Sequence, residues 1–201
     1  MNKLLLFLGL MWPLLAATQP DGGKKAHPLI ISLYNNATLL PGAAKAGIWS
    51  VPLHPGFTVG TEFYYRQKAR HQWLQTANLA YHYHQYAVHS IQLYSEAGYR
   101  RRIGTAFDAE AKLGLGYLHS IPDAQIFQLN AEGAYEKKAN LGRPQAMGGL
   151  ALGVGYSFQG KWAPRAFLAY RFYMQFPFVN EYVPVLPNTA LHVGVALSVW
   201  E

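Results

Sequence analysis

The chain has 201 residues, carries a formal net charge of +7 and contains no cysteine. The absence of cysteine excludes a disulfide-stapled framework, and after residue 17 no stretch offers the roughly 18 consecutive apolar residues of a transmembrane helix. The basic residues are scattered through short turns rather than gathered in a run, which speaks against nucleic acid as a partner.

Residues 1–17, "MNKLLLFLGLMWPLLAA", combine Lys3, an apolar stretch from Leu4 to Leu15 and small Ala16 and Ala17 ahead of Thr18. This is the anatomy of a secretory signal peptide cleaved after Ala17. The apolar stretch is shorter than the roughly 20 residues a spanning helix needs, and Pro13 interrupts it. Export leads to a compartment where disulfides form, yet none is available, so stability has to come from a hydrogen-bonded framework.

From Pro55 onward the sequence breaks into segments that alternate apolar and polar with the two-residue period of a strand. Pro55 to Arg66 is the first of seven. Gln72 to Gln85 places Trp73, Ala77, Leu79, Tyr81 and Tyr83 on one face, opposite Gln72, Thr76, Asn78, His82 and His84. Val88 to Arg100 opposes Ile91, Leu93, Ala97 and Tyr99 to Ser90, Gln92, Tyr94, Glu96 and Arg100, and Thr105 to His119 opposes Leu113, Leu115 and Tyr117 to Asp108, Glu110 and Lys112. Gln145 to Phe158, Ala163 to Gln175 and Asn188 to Trp200 continue the pattern, with Gly149, Gly153 and Gly155 on the polar face of the first and Arg165 and Arg171 on that of the second.

Alternation alone fits a soluble sandwich as well as a barrel. Three features favour the barrel: aromatic residues gather toward segment ends, the polar faces mix glycine with opposed charges, and short connections alternate with long ones such as Ser120 to Pro144 and Phe176 to Pro187. If the long loops share one side, an upward strand has to precede Pro55. "PLIISLYNN" and "AAKAGIWSV" are the candidates, and a strand within Ala43 to Val51 is the expectation. Residues 18–42 are then a periplasmic lead-in, and 43–201 form the barrel domain.

At the level of pattern, Ala43 to Trp200 resembles the small outer-membrane β-barrel proteins of Gram-negative bacteria. The resemblance implies an all-β, eight-stranded antiparallel transmembrane barrel with short periplasmic turns and longer extracellular loops, located in the outer membrane. Implied partners are outer-membrane lipid and lipopolysaccharide, and an extracellular or envelope protein.

The interior of such a barrel is just wide enough for side chains to fill. Glu96, Arg100, Asp108, Glu110, Lys112, Arg165 and Arg171 are therefore expected to form a charge network that plugs the lumen, with Glu96 near Asp108 or Glu110 across the "RRRIG" turn. The expected function is structural, adhesive or partner- or ligand-binding, with no cofactor, and an enzymatic activity stays open only as the alternative below.

Two alternatives keep named residues. His82 and His84 point into the lumen near its extracellular end and form a weak candidate metal pair, with Gln92 or Ser90 as a third ligand. His89 and His119 face lipid, each followed by a serine. Outer-membrane lipid A deacylases look similar in outline, with a His, a Ser and an acidic residue on the outer wall, so His119, Ser120 and His89 are the candidate catalytic set for acyl hydrolysis or transfer. In "HS", however, the two side chains point to opposite faces, which breaks nucleophile–base geometry. A narrow pore for small solutes is the third class. The loop from His119 to Gln145 is expected to carry a hairpin turning at "NAEG".

Overall fold

The computed structural model describes residues 27–38, 53–84, 88–123, 126–130, 133–159, 164–178 and 184–198. Residues 1–17, expected to be a signal peptide, and residues 43–51 lie outside them. Ten strands follow in chain order: β1 (Leu29–Thr38), β2 (Pro55–Gln67), β3 (His71–His84), β4 (Val88–Ile103), β5 (Phe107–Pro122), β6 (Ile126–Leu129), β7 (Tyr135–Lys138), β8 (Arg143–Ser157), β9 (Arg165–Phe176) and β10 (Leu186–Leu197). Eight of them close into an antiparallel barrel in the order β1-β10-β9-β8-β5-β4-β3-β2, while β6 and β7 pair with each other. Closure leaves no edge in the barrel sheet, so each of its eight strands finds backbone partners on both sides.

The two faces of the wall are inverted relative to a soluble protein. Leu33, Leu93, Leu113 and Val193 are each 60% exposed or more, whereas Glu62, Glu110 and Arg171 are 5% exposed or less. A continuous apolar exterior around a charged interior is unstable in water and stable in a bilayer, where outward leucines meet lipid and closed strands satisfy the backbone. This is the eight-stranded outer-membrane barrel fold.

The first strand departs from expectation. It is Leu29–Thr38, pairing Leu29 with Leu197 of β10 on one side and with Thr61 of β2 on the other. Its "LIISLYNNAT" turns Ile31 and Leu33 outward and buries Ser32, Tyr34 and Asn36. The stretch expected to supply the first strand, "AAKAGIWSV", lies outside the described residues. The barrel wall therefore begins before residue 43.

One register also differs. Ile103 pairs with Phe107 across a turn of residues 104–106, where Gly104 has φ 69°. The turn sits beyond "RRRI", so Glu96 lies opposite Gly114 and Arg100 opposite Glu110. Glu96 is not beside either carboxylate.

The turns after β2, β4 and β8 share one end of the barrel with Leu29 and Leu197. The opposite end, the loop end, carries the connections after β1, β3, β5 and β9. There β6 and β7 form the expected hairpin, pairing Phe127 with Lys137 and Leu129 with Tyr135. Its turn is closed by Asn130 N–H donating to Ala134 O at 2.9 Å and Gly133 N–H to Asn130 O at 3.1 Å.

Candidate functional site

The lumen is filled in layers. Nearest the turn end, Arg100 donates through Nη2 at 2.5 Å and Nη1 at 2.9 Å to the two oxygens of Glu62, and through Nε at 2.9 Å to Glu110. Tyr64 Oη donates to Glu62 at 2.6 Å. Arg165 holds Asp108 in a two-point grip, 2.8 Å from Nε and 2.5 Å from Nη2, and reaches Glu110 at 3.0 Å. Lys112 Nζ lies 2.7 Å from the other Glu110 oxygen. Toward mid-barrel, Arg171 Nε is 3.3 Å from Glu96, and its guanidinium carbon sits 3.6 Å from the Tyr94 ring centroid.

The network thus sets four carboxylates, Glu62, Glu96, Asp108 and Glu110, against four cations, Arg100, Lys112, Arg165 and Arg171. Its formal charge is zero. Buried charges persist only when paired and hydrogen-bonded, and this balance is what allows the layer to exist. Gly155 makes room for it, since a Cβ there would lie 2.5 Å from the Arg165 guanidinium. Gly149, by contrast, accommodates the backbone and Cβ of Tyr173, not an arginine.

Above the charges lies an aromatic and amide layer. Tyr173 Oη donates to Asn36 at 2.8 Å, Gln92 Nε2 donates to Tyr173 Oη at 3.3 Å, and Tyr34 stacks on His192 with centroids 4.5 Å apart. Leu118 and Met147 are almost wholly buried beside them. A cavity of about 40 Å³ lined by Ser32, Thr58, Glu62, Asn78, Lys112 and His192 lies within the lumen. That volume suits a few waters and is far below a drug-sized ligand.

The structure brings all seven sequence-expected charges into this layer and adds Glu62, which "TVGTEFYYR" signals by placing Glu62 in step with Thr58 and Gly60. Tyr34, in the segment expected to be a lead-in, is a buried lumen residue of β1.

His82 and His84 face the lumen at the loop end. His82 Nδ1 lies 3.3 Å from Tyr34 Oη and 3.2 Å from Gln92 Nε2, and the His84 ring stacks on His54 at 3.7 Å and 14°. A stack of parallel imidazoles does not converge its nitrogens on a common point. Among the described residues no group of three or more His, Asp or Glu side chains is placed to hold a metal. His54, just outside β2, has its pKa lowered from 6.5 by burial and by the neighbouring His84.

His89 and His119 lie on the outer wall. Tyr81 Oη and His89 Nδ1 are 2.7 Å apart, and His89 Nε2 is 3.8 Å from Asp123. Tyr117 Oη and His119 Nδ1 are also 2.7 Å apart, and His119 Nε2 donates to Leu141 O at 2.9 Å. Ser90 and Ser120 are buried on the lumen side, where they pair across β4 and β5, and Ser120 Oγ donates to Gln145 at 2.6 Å. His119 and Ser120 are therefore divided by the wall and do not assemble a nucleophile with its base.

No protein-family model matches the chain, and no curated protein matches its sequence. Among solved structures it is similar to Neisserial surface protein A, with a TM-score of 0.50 at 12% identity over 88% of this chain and 99% of that one. It is also similar to the outer membrane enzyme PagL (TM-score 0.44, 10% identity, 82% and 97% coverage) and to Ail, the attachment invasion locus protein of Yersinia pestis, in complex with the heparin analogue sucrose octasulfate (TM-score 0.45, 12% identity, 85% and 96% coverage). At such identities the likeness concerns the fold, and it agrees with the inside-out burial of the wall.

Proposed function

We propose that the chain is an integral outer-membrane barrel that works at its surface, as a structural or adhesive element that presents the loop end to an external ligand. The observation that carries this reading is the filling of the lumen: among the described residues a neutral, cross-bridged charge layer lies under a packed aromatic layer, with a cavity of about 40 Å³ between their side chains. What a closed barrel offers is its rims and its wall. At the loop end, the hairpin turns Phe127, Leu129, Tyr135 and Lys137 to one side, all exposed. Rigid scaffolds commonly carry recognition on such protrusions.

The long connections then face outward and the short turns face the periplasm. A pore would need the lumen to open, and lipid A acyl hydrolysis would need His119 and Ser120 on one face of the wall. The reading is tested by replacing residues 126–138 with a short Gly-Ser loop. Heat-modifiable gel migration should persist, and adhesion of expressing cells to immobilised extracellular matrix should fall to the level of cells lacking the protein. Unchanged adhesion would remove the adhesive role, and a chain recovered soluble from the periplasm would remove the barrel.

A further inference from the structure

Among the described residues the exposed positive charge is gathered at one end of the barrel. The lumen sums to zero, and the described loop end mixes Asp123 and Glu136 with Lys137 and Arg143. At the turn end, Arg66, Lys68, Arg70, Arg101 and Arg102 are all exposed, and no exposed acid accompanies them among the described residues. Asp108, which pairs with Arg102 across the turn, is buried and gripped by Arg165.

These cations come from two chain segments joined by strand register. Arg66 pairs with Trp73, Trp73 with Tyr99, and His71 with Arg101, so Arg66 and Arg101 project from the same outer face of β2, β3 and β4 as the two rings, while Lys68 and Arg70 extend from the turn between β2 and β3. The platform is fixed by backbone bonds, Lys68 N–H to His71 O at 2.8 Å and Arg102 N–H to Arg70 O at 2.9 Å. Trp73 and Tyr99 pack with centroids 5.1 Å apart, and Tyr99 hydrogen-bonds His71. Together with Arg66 and Lys68 they line an exterior recess of about 530 Å³.

Cations above an aromatic floor, where the apolar wall meets water, match one chemistry. Guanidinium and ammonium groups take a phosphodiester, and the amphipathic rings sit at headgroup depth against the glycerol and first methylenes. We propose that the recess of Arg66, Lys68, His71, Trp73 and Tyr99, with Arg101 paired beside it to His71, is a headgroup site for an anionic phospholipid of the leaflet surrounding the turn end. The site rests on the membrane-embedded reading above. It gives the barrel a preferred lipid on the β2–β4 side of its wall, and because the cations have no ion-pair partner among the described residues, the phosphate supplies the missing counter-charge.

The test is native mass spectrometry of the folded protein released from micelles that contain phosphatidylglycerol and phosphatidylcholine in equal amounts. Wild-type protein is expected to retain phosphatidylglycerol over phosphatidylcholine by about a hundredfold, and each of the three cations removed should lower the preference about fivefold. The Arg66→Gln/Lys68→Gln/Arg101→Gln variant should approach parity, while Lys137→Gln/Arg143→Gln at the loop end should keep the wild-type ratio. Parity in the wild type, retained preference in the triple variant, or equal loss in both variants would overturn the site. So would stronger retention of lipopolysaccharide than of phosphatidylglycerol when both are supplied in equal amounts, or displacement of the lipid by an equal concentration of inorganic phosphate. Heat-modifiable migration of each variant reports separately on the barrel, so a failure to fold in a membrane is distinguishable from a missing lipid site.

Discussion

Replacing Glu62 by Gln perturbs the charge layer with almost no change of shape. Glu62 is 2% exposed and accepts two bonds from Arg100 and one from Tyr64. The substitution leaves the lumen with a formal charge of +1 and weakens both guanidinium bonds, while Arg100 keeps Glu110. Removing one partner of a buried pair typically costs about 3–5 kcal/mol, and the amide oxygen retains part of the hydrogen bonding, so a loss of about 3 kcal/mol is expected. Arg100→Leu should cost more, because it strands Glu62 and removes one partner of Glu110 together. The measurement is urea unfolding of the protein folded into vesicles, followed by tryptophan fluorescence and heat-modifiable migration, with the slope against urea unchanged. A loss below about 1 kcal/mol for Glu62→Gln would mean that water screens the layer, and the argument for a sealed lumen would collapse.

A Cβ at Gly155 meets the Arg165 guanidinium, so Gly155→Ala should destabilise by about 1–3 kcal/mol, whereas Gly148→Ala on the outer wall, 3.1 Å from a Leu115 methyl, should cost less; the same urea midpoints decide. His54 is held below its ordinary 6.5, so the folded state resists its protonation. Stability is then unaffected by this group above that value and falls as pH drops through it, and His54→Phe should reduce the drop in midpoint between about pH 7.5 and 5.5. In planar bilayers the wild type should show no discrete conductance, and Arg171→Ala should be the first lumen substitution to admit one; steady channels in the wild type would contradict the packed layers. Lipid A from expressing cells should keep all its acyl chains by mass spectrometry, and Ser120→Ala should leave the spectrum as it is.

Much of this fold is written in a two-residue period. The faces of β3 to β5 follow from the sequence because lipid and lumen demand opposite chemistry at neighbouring positions, so Leu113 and Lys112 sort themselves without any knowledge of their partners. Choosing the first strand was harder, since two short candidates lie close together and only pairing with both Leu197 and Thr61 selects Leu29–Thr38. Register was not legible either. It depends on a single glycine, Gly104, which moves the turn beyond "RRRI" and carries Glu96 away from Asp108. The basic rim was invisible for a different reason: Arg66 and Arg101 are far apart along the chain and become neighbours only through the pairing of β2, β3 and β4.

The neutrality of the lumen constrains the order in which the barrel can be built. Of the eight charges, β2 supplies one negative, β4 one of each sign, β5 two negatives and one positive, and β9 two positives. No hairpin from β5 onward balances itself, and β9 remains two positive charges in excess until β5 and β2 are gathered against it. A half-built sheet entering hydrocarbon would carry this imbalance uncompensated, at several kcal/mol per charge. Insertion and closure are thereby coupled into a single event, and a chain truncated before β9 should stall outside the bilayer instead of entering as a partial wall.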